Sequence, residues 1–333
     1  MADLYFKENY GRLYEEVEKG TCENFSFQHS FGTVDHLFIK REIPFKISGQ
    51  TYYDLVTPYG YGGPLISGCL EKNKPQLAND FKTAFQKHCE QNRIVSEFIR
   101  FHPIIDNAKD FSGCYDVVQL RNTVGTNLKD YDDPVQHEYS RSKRKSIRQS
   151  LEAGVTFTVQ TPPSDLEAFK KIYYRTMEAN EAPQFYFFGD AYFEKLLTYF
   201  GPNLLLVEVS YEGQTIGMSL NFLYEKTIHI HLSGTMREFN YLSPAFILRY
   251  ALAVWGKENG VELIHEGGGR TNAPDDSLYL FKKQFGKNTS FNFCVARQIW
   301  NESVYHQLCE AMGTPIDSDY FPAYRSALSF EFN

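Results

Sequence analysis

Residues 204–235, LLLVEVSYEGQTIGMSLNFLYEKTIHIHLSGT, leave this chain few folding options. Branched and aromatic residues fill three runs, and the turn-forming Tyr211-Glu212-Gly213-Gln214 divides the first two, which predicts three successive strands. The following SPAFILRYALAVWGKENG changes period. Phe246, Leu248, Ala251, Leu252 and Trp255 predict a helix that stops at Gly260. VELIHEGGG then reads as one more strand. Strands, a helix and a returning strand specify a mixed α+β domain and not a uniformly alternating parallel one.

The rest of the chain continues the mixture. VTFTVQ predicts a strand, and DLEAFKKIYYRTMEAN and AYFEKLLTYFG predict helices, the second closed by Gly201. Residues 134–154 predict a single helix ending at Gly154, with Arg141, Lys143, Arg144, Lys145 and Arg148 forming a solvated or an anion-binding face. In the first half, HLFIKREIPFKI and TYYDLV are extended. TPYGYGGPLISG is a loop enforced by Pro58, Gly60, Gly62, Gly63 and Pro64. Leu77, Phe81, Phe85 and Cys89 mark a helix, followed by the strand-like VSEFIRFHP and YDVVQLRNTV. With 333 residues, two domains are expected.

Several function classes fall away on composition. No apolar run approaches the roughly 20 residues that span a bilayer, and the charged N-terminus lacks a secretory signal, so a cytoplasmic location is expected. Six cysteines without a CxxC pair argue against a zinc cluster or a disulfide framework. A net charge of −7 excludes a chain that coats nucleic acid over its whole surface, though a local basic patch still fits one.

The densest chemistry lies in HEGGGRTNAPDDSLYLFKKQFG, residues 265–286. It contains neither GxxxxGK[ST] nor GxGxxG, so no nucleotide loop is present. Metal ligation by His265, Glu266, Asp275 and Asp276 lacks a supporting spacing such as HExxH. The mechanical reading fits better. Asp275 and Asp276 stand at a helix N-cap, and Leu278, Phe281 and Phe285 form an apolar stripe closed by Gly286. Lys282 lies beside that stripe, near a strand end, a position suited to an anion or a developing oxyanion. His229 and His231 are two apart and so share one strand face, where one is a candidate general base.

Residues 139–290 resemble the Fem family of peptidoglycan bridge-forming aminoacyltransferases. The resemblance is carried by YSRSKRKSIRQSLEAGV, the strand pair ending IHIHLSGT, the helix SPAFILRYALAVWGKENG, and above all GGGRTNAPDDSLYLFKKQFG. TPYGYGGP is similar to a family loop ending in Gly-Pro. The resemblance implies two acetyltransferase-like (GNAT-type) domains with mixed sheets: 1–150 with 296–333, and 151–295. It also implies transfer of an aminoacyl group from aminoacyl-tRNA to an amine of a peptidoglycan or other cell-envelope precursor, with no metal and no cofactor.

On that resemblance the family's Phe-Lys pair maps onto Phe281 and Lys282, the lysine being associated with the acyl-transfer channel. His231 and Glu266 are candidates for the base. Tyr61, Arg144, Lys145, His229 and Arg270 are candidate substrate contacts. Members acting on a nucleotide-linked pentapeptide carry basic contacts where this chain has NFSFQHSFG and EAPQFYFFGD, which hold no Lys or Arg. The alternative donor is an acyl-CoA, with an amino sugar or sugar nucleotide as acceptor, but its pyrophosphate loop is not evident. A non-catalytic binding protein on the same scaffold is a third reading.

Overall fold

A computed structural model describes residues 3–326. The chain forms two compact units, Met1–Leu120 with Asn292–Asn333, and Arg121–Phe291. The sequence reading divides the chain near residue 150, whereas residues 121–150 pack into the second unit. Leu128, Tyr139 and Ile147 belong to its core.

In chain order the first unit carries α1 (Glu8–Leu13), α2 (Glu15–Glu18), β1 (Gly20–His29), β2 (Gly32–Glu42), β3 (Tyr53–Val56), β4 (Leu65–Ser67), α3 (Lys74–Gln91), β5 (Ile94–Arg100) and α4 (Ala108–Phe111). Then come β6 (Val117–Asn127), α5 (Pro134–Glu138), α6 (Arg141–Glu152), β7 (Thr156–Gln160), α7 (Glu167–Ala179), α8 (Asp190–Phe200), β8 (Leu204–Tyr211), β9 (Gln214–Tyr224), β10 (Thr227–Thr235), α9 (Pro244–Glu258), β11 (Leu263–Gly267) and α10 (Ser277–Lys283). β12 (Thr289–Ile299) and α11 (Glu302–Ala311) follow.

Each unit is an antiparallel sheet interrupted by one parallel pair. In the first unit the strands run β1-β2-β3-β5-β12, with β4 also on β2, and β3 and β5 are parallel. In the second they run β6-β11-β10-β9-β8-β7, and β10 and β11 are parallel. A parallel pair needs a crossover, which α3 supplies in the first unit and α9 in the second. The mixed α+β class read from the sequence is the observed one.

The core of the second unit follows from the apolar spacing of α9. Ile247, Leu248, Ala251 and Leu252 pack on Val207, Ile216, Ile228 and Ile264 of the sheet, with Ile147 and Phe285 alongside. Each such Ile or Leu contributes roughly 1.5–3 kcal/mol by leaving water. The helix opens on Pro244, whose missing N–H costs nothing in a first turn, and Gly260 follows its end at φ 73°. In the first unit, Leu77, Phe81 and Phe85 of α3 cover Val34, Phe38, Leu55 and Ile99.

Two local expectations change. The helix expected over 134–154 is two helices, because Tyr139 turns inward at ψ 140° and its hydroxyl donates to the Arg249 carbonyl oxygen at 2.9 Å. The break is held by Ser140 N–H, which donates to the Gln284 carbonyl oxygen at 2.8 Å. The strand holding His229 and His231 is bulged between Ile230 and Leu232, so a strict two-residue period does not hold at His231.

Candidate active site

The second unit concentrates its buried charge where β11 ends and α10 begins. Within β11 the register against β6 slips between His265 and Gly267, which makes Glu266 the bulged residue. A bulge re-aims its side chain, and Glu266 lies only 1% exposed. Its Oε2 accepts from Arg249 Nε at 2.9 Å, while its Oε1 is buried and accepts no hydrogen bond among the described residues. Arg249, 6% exposed on α9, stacks its guanidinium over Phe281 at 4.7 Å and Phe285 at 5.3 Å. Both rings lie against a cation that burial would otherwise penalise.

Asp276 organises the loop between the two elements. Its Oδ1 accepts from the Tyr279 N–H at 2.8 Å, which is the N-cap bond of α10. Its Oδ2 accepts from the N–H groups of Arg270 and Thr271 and from the Thr271 hydroxyl, at 2.9–3.1 Å. Backbone donors from Tyr279 and Thr271 lower its carboxyl to about 2. Gly269 is required here: a Cβ on it would stand 2.4 Å from Asp276 Oδ1. Asp276 thus performs the capping expected of the aspartate pair, and Asp275 is exposed.

Lys282 reaches back from α10 to the end of β11, where its Nζ donates to the Gly268 carbonyl oxygen at 2.8 Å. Burial lowers its ammonium to about 8; Glu266 opposes that shift, and Arg249 and Arg121 add to it. One of three N–H bonds is spent on Gly268, which leaves two for an anion or a developing oxyanion. Gly286, expected to close the helix, instead meets β6, since a Cβ there would stand 2.1 Å from the Gly125 carbonyl oxygen.

The structure therefore brings Phe281, Lys282 and Glu266 together around Arg249, a residue the sequence reading missed. Its one signal was a lone cation at core spacing within the apolar run of α9. His229 is buried on β10, opposite His265 of β11 in the register, with the two rings 5.6 Å apart. His231 meets other partners: its Nε2 is 2.7 Å from the Tyr192 hydroxyl, and its ring lies 4.8 Å from Phe222. Burial lowers His231 to about 3, so near neutral pH it is an uncharged and weakly basic ring.

On α6, Arg144 donates to the carbonyl oxygens of Gln136 and Tyr139 at 2.7 and 2.8 Å, and Lys145 is exposed. The Arg270 side chain is exposed. Tyr61 lies in the first unit, packed against Tyr5 and Phe293, in the loop that Asn107 fastens through the Gly62 and Pro64 carbonyls.

Known proteins share this arrangement of chain. The acetyltransferase (GNAT) domain profile matches residues 138–274. A UDP-N-acetylmuramoylpentapeptide-lysine N(6)-alanyltransferase of Weissella viridescens is 22% identical over 221 residues, covering 64% of this chain and 60% of that relative. The crystal structure of FemX superposes with a TM-score of 0.68 at 13% identity, covering 91% of this chain and 93% of that one. The chain therefore has the acetyltransferase (GNAT) fold and is similar to FemX.

The chain spans about 60% of the length of the curated relative it matches. Its fold extends further, to the C-terminal domain of a putative lysylphosphatidylglycerol synthetase from Agrobacterium fabrum. That match has a TM-score of 0.56 and 13% identity, covering 90% of this chain and 89% of that one. The resemblance read from GGGRTNAPDDSLYLFKKQFG and its neighbours is upheld, as is the fold class it implied. Among the described residues, no helix is long and apolar enough to cross a membrane.

Proposed function

We propose that this chain is an acyltransferase that moves an aminoacyl group from charged tRNA to an amine of a peptidoglycan or other cell-envelope precursor. The observation that carries the reading is Lys282, held by Gly268 at the end of β11 and preceded by Phe281, at the positions of the Fem Phe-Lys pair. The likeness to an alanyltransferase acting on a muramoylpentapeptide lysine supports the acceptor class.

In this reaction the acceptor nitrogen attacks the ester carbonyl, whose oxygen gains charge. The carbon–oxygen bond to the tRNA ribose then breaks, the nitrogen loses a proton and the ribose hydroxyl gains one. Lys282 offers its two remaining N–H bonds to the oxyanion. The exposed Arg141, Lys145 and Arg148 of α6, with Arg270, are proposed contacts for tRNA phosphates, and His229 for the acceptor. A charged-tRNA donor places the reaction in the cytoplasm.

The test is donor consumption across a panel of amine acceptors, with charged tRNA and acyl-CoA supplied separately. Transfer from charged tRNA that RNase pretreatment abolishes is the expected result. Transfer from acyl-CoA alone replaces this reading with an acyl-CoA-dependent N-acyltransferase, and ligand binding without donor consumption replaces it with a binding protein.

A further inference from the structure

We infer that Glu266 selects the donor by receiving the α-ammonium of an aminoacyl group on its unpartnered oxygen, an inference that rests on the function proposed above. Lys282, Arg249 and Arg121 all influence this site, and each cation repels a positively charged substrate group. An aminoacyl ester carries its ammonium one carbon away from the carbonyl that Lys282 would polarise. Productive binding therefore needs a carboxylate oxygen close by.

Two carboxylates act on Lys282, those of Glu266 and Asp276. Asp276 is committed, because its two oxygens accept four hydrogen bonds from Tyr279, Arg270 and Thr271. Glu266 is half committed. Its Oε2 takes the Arg249 Nε–H, and Oε1 is buried and accepts none among the described residues. Such an oxygen is costly to keep without a donor, and a charged donor recovers more than a neutral one.

Glu266 is followed by Gly267, Gly268 and Gly269, which add no side chains of their own beside the carboxylate. The bulge breaks the regular strand alternation at Glu266, and Arg249, packed against Phe281 and Phe285, holds the carboxylate through Oε2. A plain acyl donor carries no ammonium and leaves Oε1 as it is. The arrangement thus distinguishes aminoacyl from simple acyl groups, and it gives Glu266 a binding role in place of the general-base role considered from the sequence.

The test compares aminoacyl-tRNA with the same tRNA after nitrous acid deamination, which replaces the α-amine by a hydroxyl and keeps the ester. The wild-type chain is expected to favour the amine by roughly tenfold or more in kcat/KM. Glu266→Gln, similar in shape but uncharged, should bring the two donors to within about threefold. Equal use of both donors by the wild type overturns the inference, as does a preference that survives in Glu266→Gln. If Glu266→Gln fails to fold, the wild-type ratio decides alone. Consumption of acyl-CoA with none of charged tRNA overturns the proposed function and this inference together, an outcome distinct from equal use of the two tRNA esters.

Discussion

Lys282 Nζ and the Gly268 carbonyl oxygen are 2.8 Å apart, so α10 and the end of β11 are joined through a cation with hydrogen-bonding capacity to spare. Removing that cation separates catalysis from stability. Lys282→Ala should lower kcat by about 10²–10³-fold, the usual loss of an oxyanion donor. Lys282→Met keeps the bulk, removes a poorly solvated charge and should leave Tm equal or higher. Steady-state kinetics beside thermal melts checks both, and unchanged turnover in Lys282→Ala removes Lys282 from the mechanism.

The lowered ammonium also gives two pH signatures. Oxyanion stabilisation needs the protonated form, so kcat should fall as pH rises through about 8, and Lys282→Arg should move that alkaline limb upward. For stability the sign follows from proton counts. Between about 8 and the unfolded lysine value near 10.4, the unfolded chain binds more protons than the folded one. This group therefore makes stability rise with pH in that window. Urea unfolding at pH 7.5 and 9.5 should show the rise in the wild type and its reduction in Lys282→Met.

Which parts of this site were legible depends on how local their causes are. Asp276 and Lys282 sit within one turn-plus-helix segment, so capping preference and apolar spacing placed both. Arg249 is joined to Glu266 only because α9 and β11 fold together across 17 positions, and no periodic signal announces that pairing. Gly286 was misread for the same reason. Its neighbour, Gly125, is 161 residues away, and a helix-closing glycine looks identical in sequence. The tail elements β12 and α11, and β1 near the N-terminus, went unread as well. β1 alternates half-buried and exposed positions, which gives a weak pattern.

His231 tests the other half of the chemistry. Half-buried, lowered to about 3 by desolvation and bonded to Tyr192, it is a poor proton acceptor near neutral pH. His231→Phe should leave kcat within about threefold, against the 10²–10⁴-fold loss typical of a general base. A loss in the larger range, with wild-type folding by circular dichroism, would restore it as the base.

Asp276 should govern acid stability locally. Its carboxyl is lowered to about 2 by bonds present only in the fold, so its contribution is present above the unfolded value near 3.9 and is lost as pH falls through about 2. Asp276→Ala should lower Tm at pH 7 by roughly 2–5 °C. Asp276→Asn, which keeps one acceptor, should recover part of that and flatten the acid limb. Identical melting of the alanine variant and the wild type would show that the cap bonds contribute nothing measurable.

Gly286→Ala makes the sharpest structural prediction because its obstacle is backbone. The added Cβ would meet the Gly125 carbonyl oxygen at 2.1 Å and Val124 Cγ1 at 2.5 Å, and the carbonyl cannot move without shifting β6. Overpacking of this kind costs about 1–3 kcal/mol and more where backbone must shift, so a loss of at least ~2 kcal/mol is expected by urea unfolding. Gly189→Ala is the matched control, since a Cβ there meets nothing within 4 Å and φ is −73°. If both variants unfold at the wild-type midpoint, the segment after α10 has room that this packing denies it, and Gly286 is not needed to seat Phe285 beside Arg249.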